Sequence, residues 1–146
     1  MQRRRSTPSP AFVVSLIALV VALGGTTYAA KISHSTLGAA AVVGAGGAPP
    51  FENSWQPAGP QDEGVSFYKD PWGIVHLQGN TFNSESVKGT IFTLPLGYRP
   101  AANLYFAAYG ALGTAAYIRV KADGTVNVAV AQNYIGLSNI TFRAAP

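Results

Sequence analysis

The side chains able to move protons or hold a metal are few: two histidines, His34 and His76, and six acids, Glu52, Asp62, Glu63, Asp70, Glu85 and Asp123. General acid and base chemistry needs such groups brought together. His34 sits in a run of small residues with no second His, Cys or carboxylate at metal-ligand spacing, which makes it a solvated residue. His76 has Ser66 nearby on the expected neighbouring strand, but that pair has neither an orienting carboxylate nor an oxyanion loop. Asp70 precedes Pro71-Trp72-Gly73 and Asp123 precedes Gly124, positions where Asp closes turns. Folding could gather Asp62, Glu63 and Asp70 into a carboxylate pair for glycoside hydrolysis or a calcium site, yet nothing in their spacing requires it. No cysteine is present, so thiolate chemistry and disulfides are excluded. The residues point to a chain without a catalytic site, a metal or a cofactor.

A second set carries recognition chemistry. Tyr68, His76, Gln78, Tyr105, Tyr109, Tyr117 and Arg119 all fall on the polar side of alternating runs, with Asn80 and Lys121 beside them. Tyrosine among amides and arginine is the chemistry of contact surfaces, where a flat apolar ring carries a polar tip. These seven are the candidate binding residues. A homo-oligomer interface would use the same side chains, and outward tyrosines are also good strand formers.

The elements that must position them are strands. Short β-branched and aromatic runs, punctuated by Gly, Pro and Asp, extend over Val65 to Lys69, Ile74 to Thr81, Lys88 to Leu94, Asn103 to Tyr109, Ala116 to Ala122, Thr125 to Ala131 and Leu137 to Arg143. No amphipathic helix accompanies them. The pattern predicts an all-β domain, an antiparallel, jelly-roll-like β-sandwich of about seven strands. Two hairpins can be read to the level of register, because a one-residue slip would turn the core outward. A loop of Ala122, Asp123 and Gly124 pairs Val120 with Val126 and Ile118 with Val128, with Gly124 in the left-handed conformation. Pro71-Trp72-Gly73 pairs Phe67 with Leu77 and Tyr68 with His76. The expected core is Val65, Phe67, Val75, Leu77, Phe92, Leu94, Leu104, Phe106, Ile118, Val120, Val126, Val128, Val130, Ile140 and Phe142.

Three segments follow. Residues 1–30 read as a signal peptide or membrane anchor: Arg3 to Arg5 form a positive start, Ala11 to Leu23 are apolar, and Thr27-Tyr28-Ala29 offers small residues for cleavage after Ala29 or Ala30. Gly24-Gly25 favours removal, and a retained anchor is the alternative, since Ala11 to Ala30 carry no charge and are long enough to span a bilayer as a helix. Either way the domain is expected to be secreted or extracytoplasmic, with the membrane met only through the N-terminal segment. Residues 31–50 read as a small-residue linker and residues 51–146 as the β-sandwich domain. The leader removes most of the apparent basicity: from Phe51 onward six cations face six acids, so the net charge of +4 is no footprint for nucleic acid. A 96-residue domain held by packing alone is near the size where association is a common remedy, which leaves a homo-oligomer open.

The succession of Trp55, FYKDPWGIVHLQG from Phe67 to Gly79, IFTLPLGYRP from Ile91 to Pro100, VKADGTV from Val120 to Val126 and the closing LSNITFR resembles the C-terminal β-sandwich modules of bacteriophage tail fibres and receptor-binding proteins. The leader, PSPAFVVSLIALVVALGGTTYAA, resembles the starts of actinobacterial secreted proteins that carry similar modules. The resemblance implies an antiparallel sandwich, commonly a trimer, that presents loops or a tyrosine-rich face to a cell-surface glycan or protein. A signal-like leader and the lack of a fibrous shaft depart from the phage pattern. Pro95, Gly97, Tyr98, Arg99 and Pro100 are its most specific match and read as a structural corner between strands.

Overall fold

The computed structural model describes residues 39–146, which belong to one compact unit. The leader and the first part of the linker, Lys31 included, lie outside the described residues. The strands in chain order are β1 (Ala41–Val42), β2 (Gln56–Pro57), β3 (Ser66–Lys69), β4 (Ile74–Gln78), β5 (Asn80–Thr93), β6 (Leu104–Gly110), β7 (Ala115–Val120), β8 (Thr125–Gly136) and β9 (Thr141–Arg143), with a short 3-10 turn at Ala111–Gly113. They form two antiparallel sheets, one ordered β1-β3-β4-β9 and the other β2-β5-β8-β6-β7, in which β7 also pairs with β8. The all-β, two-sheet reading holds.

Both hairpins have the expected register. Phe67 lies opposite Leu77 and Tyr68 opposite His76, while Ile118 faces Val128 and Val120 faces Val126. Gly73 and Gly124 take φ of 81° and 94°, the left-handed values the turns require. Asp70 closes its turn by accepting the Trp72 amide at 3.0 Å and the Ile74 amide at 2.9 Å through Oδ1. Asp123 does the same for the Thr125 amide and hydroxyl.

Strand alternation sends one set of side chains between the sheets. Phe67 of the first sheet stacks on Phe92 of the second at 6.1 Å between ring centroids, and Phe106 of the second meets Phe142 of the first at 6.2 Å. Val65, Val75, Leu77, Leu94, Ile118, Val120, Val126, Val128 and Ile140 complete the expected core and are buried. The Pro95 to Pro100 corner is structural, as expected: Tyr98 meets the Phe67 ring edge-on at 5.1 Å, and Arg99 donates Nε to the Leu94 carbonyl at 2.9 Å.

Four expectations are corrected. Val130 is 54% exposed rather than buried, and Leu104 and Phe106 are only partly buried. The cause at Val130 lies in β8, where the buried positions switch from Val126 and Val128 to Ile135, and where pairing with β5 shifts register between Phe82, Val87 and Gly89. The run Ile74 to Thr81 is broken at Gly79, whose φ of 85° ends β4 and starts β5 in the other sheet. The run Lys88 to Leu94 is the end of a 14-residue strand, and Thr125 to Ala131 the beginning of a 12-residue one. Ala41 and Val42, read as linker, pair with Phe67 and Ser66, and Val43 is buried in the core.

The segment before β3 is fastened to β5 by side-chain hydrogen bonds, two of which pair the buried Thr81 and Asn83. Thr81 donates its hydroxyl to the Gln56 carbonyl at 2.8 Å, Asn83 donates its amide to the Asn53 carbonyl at 2.8 Å, and Asn53 donates to the Thr90 carbonyl at 2.9 Å. Trp55 thereby becomes a core residue.

Candidate functional site

The seven candidate residues divide between two faces. Tyr68, His76 and Gln78 alternate with Phe67 and Leu77 and point away from the core on the first sheet. Tyr105, Tyr109, Tyr117 and Arg119 alternate with Phe106 and Ile118 and lie on the outer face of the second sheet. The sandwich core separates the two groups, so they cannot form one site.

On the first face the Tyr68 and His76 rings stack at 4.6 Å with 5° between planes. His76 Nε2 is 3.3 Å from Asp70 Oδ2. Asp70 is therefore the orienting carboxylate that the sequence reading did not assign to His76. Ser66 sits opposite Gln78, is buried beside β1, and makes no hydrogen bond to His76; among the described residues Asp70 is the imidazole's side-chain hydrogen-bond partner. Asp62, Glu63 and Asp70 are not gathered, and no group of three or more His, Cys, Asp or Glu suited to a metal occurs among the described residues. Desolvation at the turn pushes the Asp70 carboxyl up, but the Ile74 amide, the His76 ring and the Trp72 amide outweigh it and hold it below the ordinary value of 3.8. A carboxyl depressed on folding stabilises the native state fully above its unfolded pKa and loses that contribution as pH falls through the folded one. Asp70→Asn should accordingly lose stability at neutral pH and show a shallower decline from pH ~5 downward than the parent, read from thermal melts across pH. Parallel declines would exclude this linkage.

The second face has more relief. Pairing puts Tyr105 beside Arg119, and Arg119 beside Asn127. Thr90 completes that row on β5. Ala107 lies beside Tyr117 in the next row, and Tyr105 and Tyr117 are 70% and 56% exposed. Small residues, Gly89 and Ala129, leave a depression of about 420 Å³ bounded by Lys88, Arg119, Asn127 and Val128.

Toward the other end of the same face, roughly 13 Å along β6 from Tyr105 at a strand rise of about 3.3 Å per residue, lies a cleft of about 520 Å³. It is lined by Phe82, Tyr109, Ala111, Leu112, Asn133 and Tyr134. Tyr109 and Tyr134 meet edge to face at 6.1 Å. Gly136 pairs with Tyr109, and a side-chain carbon there would press on Asn80 Oδ1 at 3.1 Å. Tyr134 donates its hydroxyl to Asp62 Oδ1 at 3.1 Å, and the Asn80 amide reaches the same oxygen at 3.5 Å. Desolvation, the Asp62 bond and its charge, and Tyr109 push the Tyr134 phenol above its ordinary 10.0, so it stays a neutral donor. Leu112 forms the rim. It takes φ 53° in the 3-10 turn and is fully exposed, a backbone conformation that is sparsely populated for a non-glycine residue and clusters at binding sites.

Of the cleft, only Tyr109 is among the seven candidates. Phe82 fell in a gap between expected strands, and Asn133 and Tyr134 lay past the expected end of β8. The continuing alternation of Gln132, Tyr134 and Gly136 against Asn133 and Ile135 was the signal available. Leu112 had none, since only Gly110 and Gly113 mark the turn.

No protein-family model matches the chain, and no curated protein matches it. The fold is similar to that of a solved structure, the receptor binding protein (gp15) of Listeria phage PSA, at a TM-score of 0.68 and 14% identity, covering 96% of this chain and 89% of that one. The tail-fibre-like sandwich expected from the sequence is thus the fold observed.

Proposed function

We propose that the chain is an exported, non-catalytic binding module that takes a cell-surface glycan in the cleft on the outer face of its second sheet. The observation that carries this reading is the cleft's composition. Three aromatic rings, Phe82, Tyr109 and Tyr134, supply flat apolar walls for the C–H face of a sugar, and Asn133 and Asp62 supply hydrogen-bonding groups at its edge. Such a site combines apolar area with a few fixed polar groups, the usual form of a small-molecule pocket. The receptor-binding role named for the fold neighbour agrees with it, and the leader supports delivery to the cell exterior, free or tethered.

The full chain applied to a glycan array should give a defined set of signals that Tyr109→Ala and Tyr134→Ala each weaken at least tenfold, the effect of losing an aromatic anchor worth about 1.4 kcal/mol or more. A wild-type protein that gives no signal, or variants that keep it in full, would overturn the reading.

A second reading rests on a different observation. Leu112 is fully exposed and Val130 is 54% exposed, apolar side chains suited to contact with a second copy of the chain. The module would then be a structural homo-oligomer, the trimer that the tail-fibre resemblance implies. Burial of Tyr109 and Tyr134 between subunits in an assembly without glycan signal would favour it.

A further inference from the structure

The depression at Lys88, Arg119 and Asn127 lies apart from the aromatic cleft and has an electrostatic character of its own. Its lining holds two cations, one amide donor and no acid. Neither Arg119 nor Lys88 has a carboxylate within ion-pair distance among the described residues.

The row neighbours of Arg119 are Tyr105, Asn127 and Thr90, none of them acidic, and the small Ala129 and Gly89 hold the space beside it open. The charge is positioned by the sheet and is not neutralised by it. Lys88, on the exposed side of β5, adds a second cation at the mouth, and the Asn127 amide adds a neutral donor. A planar fork beside a point charge is the usual recognition set for a phosphate, sulfate or carboxylate.

We infer that this depression binds an oxyanion, a phosphate or sulfate ester or a carboxylate, borne by the ligand of the outer face. The inference rests on the glycan-binding reading for what carries the anion, and on Lys88, Arg119 and Asn127 alone for the anion itself. The aromatic cleft has no cation in its lining, so the two subsites divide the work: one takes an uncharged ring, the other a charged substituent roughly 20 Å away, the six residues from Asn127 to Asn133 on β8 at a rise of about 3.3 Å each.

The test is a titration of the uniformly ¹⁵N-labelled full chain, followed by amide shifts, with glucose 6-phosphate, glucose 6-sulfate, glucuronate, glucose and inorganic phosphate as separate probes. At least one anionic probe is expected to move the Gly89, Asn127 and Val128 amides, while glucose leaves them in place. Arg119→Gln and Lys88→Gln should each raise the apparent Kd for that probe at least fivefold, and added sodium chloride should weaken it further. Lys88 is exposed, so its variant retains the fold and keeps the test decisive should Arg119→Gln unfold. The arms separate sources: a response to inorganic phosphate marks a free-anion site, and a response confined to an ester or to glucuronate marks a charged sugar. Anionic probes that leave these three amides still, or that bind Lys88→Gln and Arg119→Lys as tightly as the parent, overturn the inference. Glycan-array signals lost in Tyr109→Ala but kept in Lys88→Gln would sustain the cleft while sinking the anion subsite, and the converse would do the reverse.

Discussion

Phe67→Ala should lower the unfolding free energy by about 3–5 kcal/mol, the range for deleting a buried aromatic side chain. Phe67 is 1% exposed and stands where three parts of the fold meet. It stacks on Phe92 of the opposite sheet with 16° between planes, and it receives the edge of Tyr98 from the Pro95 to Pro100 corner. Its own strand is flanked by Ala41 on one side and Leu77 on the other. Removing the ring would leave a cavity whose walls belong to different sheets, so collapse of one wall would pull on the other. No disulfide can hold the sheets together in compensation, because the chain has no cysteine. For a domain near 100 residues, where total stability is about 5–15 kcal/mol, this is roughly a fifth of the whole or more. The melting midpoint should fall by roughly 15 °C or more. Tyr105→Ala is the matched control: an aromatic ring of similar size but 70% exposed, expected within about 0.5 kcal/mol of the parent. Urea melts of the two variants giving equal losses would refute the assignment of Phe67 as the joint between sheets.

How far the sequence disclosed this joint depended on turn chemistry. Pro71-Trp72-Gly73 and Asp123-Gly124 each admit one loop length that keeps the apolar faces together, so Phe67 opposite Leu77 and Val120 opposite Val126 could be read residue by residue. Where strands are long and irregular the same rule misleads. Extending the alternation of Val126 and Val128 by one step put Val130 inside, but the register shifts against β5 turn it outward before Ile135 returns to the core. A bulge leaves no reliable mark in composition, because it is decided by the partner strand. The same irregularity hid the aromatic cleft. Tyr109 was legible from alternation in β6, whereas Tyr134 and Phe82 depended on knowing that β8 and β5 continue past their apolar runs. The division of the tyrosines between two faces was likewise invisible, since alternation says which residues point outward and not from which sheet. Val43 and Trp55 show a further limit: residues between glycines and prolines gave no strand signal, and tertiary contacts alone make them core.

Gly79 marks the most constrained backbone position, and Gly79→Ala should cost about 3 kcal/mol or more, from left-handed strain of about 1–2 kcal/mol plus the displacement of neighbouring backbone. The glycine has φ 85° where the chain leaves the first sheet for the second. A Cβ there would overlap the Gly64 carbonyl oxygen and fall 2.7 Å from that of Glu63, so those atoms must move. They are not free to do so: the Glu63 carbonyl accepts the Asn80 amide at 2.8 Å, and the Gly79 carbonyl accepts the Leu137 amide at 2.9 Å. Gly113→Ala separates the two contributions, because Gly113 also has positive φ, 80°, with nothing within 4 Å of the added carbon. It should show the conformational part alone, about 1–2 kcal/mol. The difference between the two variants in denaturant melts then measures the clash, and equal losses would mean that the Glu63-Gly64 segment yields at no cost. A folded Gly79→Ala protein would carry a second consequence. Asn80 follows directly, and its amide and the Tyr134 hydroxyl share Asp62, so moving Glu63 and Gly64 displaces the carboxylate at the edge of the cleft. The proposed glycan binding should therefore weaken in this variant beyond the fraction unfolded, while Gly113→Ala, whose added carbon meets no neighbour, should weaken it no more than its unfolded fraction.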